Sequence, residues 1–204
     1  MVRLAVSVEG LTEERFVELV LYDHLLGLGI HVTPISIGGN VSIPRICHNI
    51  EKLIHGFDFV TTFYDFYGFK NKDQGETKHG LEAKIRNALP ERLRGKFFPY
   101  IQMYEFEGLL FSCPAIMSTI LQDEEVEAWA GGVLRQFGGN PEDINDSPQT
   151  APSKRLERQT SYRKTTHGPD ITKQIGLDKI RSTCSGFNDW LSKIECLNDN
   201  NGNR

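Results

Sequence analysis

The chain has 204 residues, 39% hydrophobic and 25% charged, enough to bury one good core. Its formal net charge of -4 offers no global attraction to nucleic acid or an anionic membrane, although a metal site can supply positive charge locally. No stretch reaches the ~20 apolar residues that span a bilayer. The N-terminal MVRLAVSVEG reads as a strand rather than a signal peptide, so a cytoplasmic protein without a membrane partner is expected. Cys47, Cys113, Cys184 and Cys196 show neither CxxC nor zinc-type spacing, which predicts reduced, mostly buried thiols.

In chain order, residues 3–8 predict a buried strand. Thr12 to about Gly27 predicts a helix with Thr12 as N-cap, Glu13 and Glu14 facing its dipole, and Phe16, Leu19 and Val20 on one face. HVTPISI at 31–37 predicts a second strand; GGN then turns the chain into a helix over 42–55 bearing Ile46, Ile50, Leu53 and Ile54. FDFVTTFY at 57–64 predicts a third strand, followed by the polar loop FKNKDQGETKHG and a helix near 80–90. FFPYIQMY at 97–104 predicts a fourth. Strands separated by helices imply right-handed crossovers and an α/β fold with a mostly parallel four-stranded sheet flanked by helices.

The second half has another pattern. Residues 114–137 read as helical and acidic, and FGGNPEDINDSPQTAPS as a long loop. A basic stretch follows, and 170–197 read as two short helices, the last built on Phe187, Trp190, Leu191 and Ile194. The expected organisation is an α/β domain over 1–137, a loop and helical cap over 138–197 packed on it, and a disordered tail over 198–204.

Three predicted strands end in acids at the carboxyl edge of the sheet, where ligands gather in such folds: Glu9, then Asp65, then Glu105 with Glu107. Carboxylates brought together repel one another unless a cation sits among them, and a hard divalent ion, typically magnesium, is the usual solution. No GxxxxGK[ST], no GxGxxG after the first strand and no GxSxG is present, which excludes the commonest P-loop, dinucleotide and hydrolase arrangements.

Simpler readings stand beside these. Asp65 is also suited to an Asx turn. On a continuing strand Glu105 and Glu107 share a face, whereas in a helix starting at Glu105 they point about 200° apart. The basic run 154–164 fits a solvated helix face as well as a phosphate site. Tyr67 suits packing or stacking on a base.

VEGLTEERF (8–16), FYDFYGF (63–69), YEFEGLLF (104–111), APSKRL (151–156), SYRKTTHG (161–168) and IGLDKIRSTC…FNDWL (175–191), six motifs in order over nearly the whole chain, resemble the bacterial family called domain of unknown function 4276. That family is similar to the Toprim fold of topoisomerases, primases and overcoming-lysogenization-defect nucleases. The resemblance implies a nuclease, with Glu9 in acid/base catalysis or metal binding and Gly10 allowing the close turn. It implies that Asp65 matches the first aspartate of the magnesium-holding DxD motif; the second position is Tyr67, and Tyr104 stands where relatives have histidine. The missing ligand would come from Glu105 or Glu107. A Mg2+ (or Mn2+) cofactor, phosphate contacts from Lys154, Arg155, Arg163 and Lys164 and from Lys70, Lys72 and Lys78, and substrate contacts from Gly10, Thr12 and Tyr67 complete the expected site. DNA or RNA as substrate and an ATPase partner in anti-phage defence are the implied partners; a homodimer is a further expectation that rests on no named residue. The alternative is a degenerate Toprim-like module that binds a protein partner or nucleotide.

Overall fold

The computed structural model describes residues 1–145 and 147–198. By contacts the chain divides into two compact units, one of residues 1–101 with 192 onward, the other of 102–191. The composition break at residue 137 does not coincide with this division.

The first unit is a parallel sheet with helices. Strand β1 (Val2–Val8) is buried at every position but one and lies between β2 (Ile30–Ser36) and β3 (Phe59–Asp65). Both pairings are parallel, with Val8 opposite Ser36 on one side and Phe63 on the other. Consecutive strand residues face opposite sides, so the unbroken burial of Val60–Asp65 means that both faces of β3 are covered. Two-residue strands β4 (Phe97–Phe98) and β5 (Ile101–Gln102) complete the sheet, β4 parallel to β3. The α/β expectation holds, but the fourth strand is not one piece. Pro99 has no N–H to give a ladder, and the Thr62 hydroxyl instead ties down both the N–H and the carbonyl of Tyr100.

Helix α1 (Leu11–Phe16) continues through a π-helical turn, Val17–Leu21, into α2 (Tyr22–Gly27). Its N-cap is Gly10, not Thr12: the Gly10 N–H donates to the Glu13 carboxylate at 3.0 Å, and Thr12 is buried inside the helix. The wider turn also shifts the buried face to Phe16, Val17, Leu21 and Leu25, leaving Leu19 exposed, because an inserted residue rotates everything after it. Helix α3 (Ile43–Leu53) buries Ile46 and Ile50 as its spacing predicts. Helix α4 (Lys78–Ala88) is capped by Thr77, whose hydroxyl accepts from Gly80 N–H at 3.0 Å. The chain end returns to this unit, where His24 Nε2 meets Glu195 Oε1 at 2.6 Å and Asn198 donates to the Leu28 carbonyl at 3.1 Å. Beyond Asn198, the expected disordered tail lies outside the described residues.

The second unit is helical. A 3-10 segment, Phe106–Ser112, is buried throughout, and around it lie α5 (Pro114–Leu121), α6 (Glu125–Gln136), α7 (Pro152–Gln159), α8 (Lys164–Ile175), α9 (Leu177–Thr183) and α10 (Ser185–Glu195), whose last turn belongs to the first unit. Phe187, Trp190, Leu191 and Ile194 are buried as expected of the last helix. The predicted long loop carries short 3-10 turns at Pro141–Asp143 and Pro148–Thr150. None of the four cysteines is in a disulfide, and only Cys184 is buried, its thiol pushed up to about 12 by loss of water. Among the described residues no helix is long and apolar enough to cross a membrane.

Candidate functional site

In the first unit, three loops converge at the carboxyl ends of the parallel strands. Glu9 follows β1, the loop 37–41 follows β2, and the 3-10 turn Phe66–Gly68 follows β3. The Ile37 N–H donates to the Val8 carbonyl at 3.0 Å and the Gly39 N–H to the Glu9 carbonyl at 2.9 Å, so the second loop is laced to the first. Gly39 adopts a φ of 74° and Asn40 a φ of 53°, the left-handed turn conformation that Gly and Asn tolerate best. The third loop is fitted to Glu9: a Cβ on Gly68 would lie 2.6 Å from Glu9 Oε2 and 3.3 Å from Val41 Cγ2. A side chain at Gly68 would have to displace the carboxylate end of Glu9 and press on Val41.

Asp65 is the last residue of β3 and only 5% exposed, a position where a carboxylate needs polar partners. Along the pleat Glu9 belongs with Ser7 and Tyr64, whereas Asp65 belongs with Phe63 on the opposite face. It is therefore the turn after Asp65 that carries the chain back to Glu9. On Glu9's face the buried Tyr64 hydroxyl lies 2.6 Å from Ser7 Oγ, which donates to Asn49 Oδ1 at 2.9 Å. Either hydroxyl of the Ser7–Tyr64 pair can serve as the donor. Burial pushes the Tyr64 hydroxyl well above its ordinary range; the charge of Glu9 acts the same way, and the Ser7 bond and the charge of Arg45 oppose it.

Glu13 and Glu14 are engaged locally. Glu13 accepts from Gly10 N–H, and Glu14 accepts from Ser36 N–H at 3.2 Å. Tyr67, at the second DxD position, is half-buried, with Lys72 Nζ 5.6 Å from its ring and 5.0 Å from that of Phe66. Lys72 also donates to the Phe69 carbonyl, and burial lowers its pKa. Lys78 lies over Tyr100 at 4.1 Å. Of the three lysines expected here, Lys70 is exposed, and Lys72 and Lys78 are half-buried.

The remaining expected residues lie in the second unit. Glu105 is the N-cap of the 3-10 segment, and its carboxylate accepts the Ser153 N–H at 2.8 Å in the first turn of α7. Glu107 is fully buried, accepts the Tyr162 hydroxyl at 3.2 Å and stands 3.5 Å from Lys164 Nζ. These two acids thus point to different partners, as the helical alternative requires. Tyr104 has a φ of 58°, which takes the chain out of extended geometry just before them. Lys154 pairs with Glu157 at 2.5 Å. Arg155 holds the Thr150 carbonyl at 2.6 Å and lies over Phe137, so it braces its own loop. Arg163 is exposed at the start of α8. Among the described residues no group of three or more His, Cys, Asp or Glu side chains is gathered to hold a metal ion.

Two features escaped the sequence reading. Glu142, inside the predicted loop, is buried and accepts the N–H groups of Gly186 and Phe187 at 2.7 and 3.1 Å at the start of α10. Arg45 stands beside the loop after β2. A cation in the first turn of a helix, against the macrodipole, was the available signal for it.

These features define an α/β protein whose parallel sheet carries acidic residues at the carboxyl ends of neighbouring strands. The chain belongs to the family described as Domain of unknown function (DUF4276), whose model matches residues 8–195. Among solved structures it is similar to the C-terminal region of the Xanthomonas campestris pv. campestris OLD protein. To the form phased with platinum it is 19% identical, with 94% of each chain covered and a TM-score of 0.37. To the form phased with mercury it is 18% identical, with 93% of this chain and 96% of that chain covered and a TM-score of 0.39. No curated protein matches.

Proposed function

We propose that the protein is a magnesium-dependent nuclease that cleaves phosphodiester bonds in DNA or RNA, with manganese able to replace magnesium. The observation that carries this reading is the seat of Glu9: its carboxylate approaches Gly68, three residues past Asp65, so closely that a Cβ there would be 2.6 Å away. Glu9 and Asp65 leave neighbouring strands on opposite faces, and a site that uses both would rely on the turn after Asp65 and offer oxygen donors only. That donor set suits magnesium, which takes one or two carboxylates and keeps several waters, and lacks the nitrogen and sulfur typical of zinc. When bound, such an ion supplies Lewis acidity at a phosphoryl oxygen.

The chain's own residues have separate tasks in this reading. Glu9, half-buried, accepts the proton of the attacking water. Asp65, buried, stays in one orientation and helps to hold the ion. The anti-phage role and the ATPase partner implied by the motif resemblance belong to the same proposal, as does a homodimer.

Purified protein incubated with DNA and RNA in magnesium, manganese or EDTA tests it. Cleavage is expected only with metal, and Glu9→Gln and Asp65→Asn are each expected to lose about 100-fold at unchanged thermal melting. Undiminished cleavage by both variants overturns the assignment. Tyr67 at the second DxD position favours one other reading, the degenerate module that binds a nucleotide or a protein partner. A well-folded protein that neither binds manganese nor cleaves would select it.

A further inference from the structure

The loop that flanks Glu9 also carries a cation. Arg45, the third residue of α3, is exposed, and its Nη2 donates to the Ile37 carbonyl. Ile37 and Gly39, two residues on, are the residues whose N–H groups bind the carbonyls of Val8 and Glu9, at 3.0 and 2.9 Å. The guanidinium is therefore anchored on the segment that is hydrogen-bonded to Glu9's own peptide. A Cβ on Gly38 would lie 3.9 Å from Nη2. The Tyr64 hydroxyl feels both charges, Glu9's raising its pKa and Arg45's lowering it.

Helix stability does not account for an arginine at this position, because a cation in the first turn opposes the macrodipole. The carbonyl bond does not exhaust the side chain either, since a guanidinium presents a planar fork of donors and one contact leaves the rest available. That fork matches phosphate oxygens in a way a lysine cannot. A site built only from Glu9 and Asp65 would repel a polyanion, and a neighbouring fixed cation offsets that repulsion.

We infer that Arg45 is a substrate-positioning residue that grips a backbone phosphate of an oligonucleotide at the edge where Glu9 and Asp65 lie. This inference rests on the nuclease reading for its substrate class. Its readout is binding, not cleavage, so that the two fail separately.

The test is fluorescence anisotropy with labelled single-stranded DNA and RNA oligonucleotides, in calcium, over a range of salt concentrations. Arg45→Gln is expected to weaken binding about tenfold and to reduce the slope of log affinity against log salt by about one. Arg45→Lys should keep the slope but recover only part of the affinity, which a purely structural tether to Ile37 would not predict. Arg92→Gln, at an exposed arginine on the 3-10 turn Glu91–Lys96, should leave both quantities unchanged. Equal affinity and slope in Arg45→Gln and wild type overturn the inference, as does an equal loss in Arg92→Gln or a wild type that binds no oligonucleotide. If Arg45→Gln weakens binding and wild type never cleaves, the inference stands and the nuclease reading falls. If wild type cleaves with metal and Arg45→Gln binds unaltered, the nuclease reading stands and the inference falls.

Discussion

Three acids of the second unit end on donors that the fold itself provides. Glu142 takes two N–H groups at the start of α10, Glu105 takes one at the start of α7, and Glu107 takes the Tyr162 hydroxyl. At the sheet edge of the first unit the chain instead makes room for an acid, with a glycine turn fitted to Glu9 and a cation on the adjoining loop. Both regions have acids near the ends of elements. What separates them is the neighbour: Glu142 and Glu105 cap helix starts, whereas Glu9 packs against the turn at Gly68.

The largest expected effect tests the structural side of this contrast. Glu142→Ala removes the acceptor of two N–H groups and should cost roughly 3 kcal/mol in urea unfolding. A cost below about 1 kcal/mol would mean that Glu142 is not a cap and that the contrast fails there. Gly68→Ala tests the other side. The added methyl meets the movable end of Glu9, so stability should change by less than about 1 kcal/mol, while manganese affinity by calorimetry should fall about tenfold. Equal losses of stability in Gly68→Ala and Glu142→Ala would erase the distinction.

Glu105→Ala should cost about 1 kcal/mol, the value of one helix cap, read from chemical unfolding. The smallest effect concerns Glu82, an acid of the first unit that accepts the Ile101 N–H at 3.0 Å. Burial holds its carboxyl above the usual range, against the Ile101 bond and the charges of Lys78, His79 and Lys193. With the folded pKa raised, its contribution to stability is full below the unfolded pKa and is lost as pH rises through the folded one. Glu82→Gln, which keeps an acceptor for Ile101, should therefore match wild type near pH 3 and exceed it near pH 7. A pH series of melting temperatures that shows the reverse order would refute the burial argument.

Sequence reading reached the first unit more deeply than the second. Short β-branched and aromatic runs such as Val60–Tyr64 favour central strands, so the order of the strands and helices and the placing of Glu9 and Asp65 at strand ends followed from local pattern. The misreadings there were local competitions. Glu13 reaches back to Gly10 and displaces Thr12 as cap, a π turn rotates Leu19 outward, and Pro99 splits the last strand.

What pattern and spacing could determine was therefore the parallel α/β sheet and which acids stand at its carboxyl edge, since burial on two faces is written into consecutive residues. Only the tertiary structure decided what each acid meets. Glu105 and Ser153 are 48 residues apart, Glu107 and Tyr162 are 55, and Glu142 and Gly186 are 44. The fit of Glu9 to Gly68, and the anchoring of Arg45 on a loop laced to Glu9, likewise arise from neighbours in space. A charge can be read from the chain, but its electrostatic role depends on donors, glycines and counter-charges that folding brings from elsewhere.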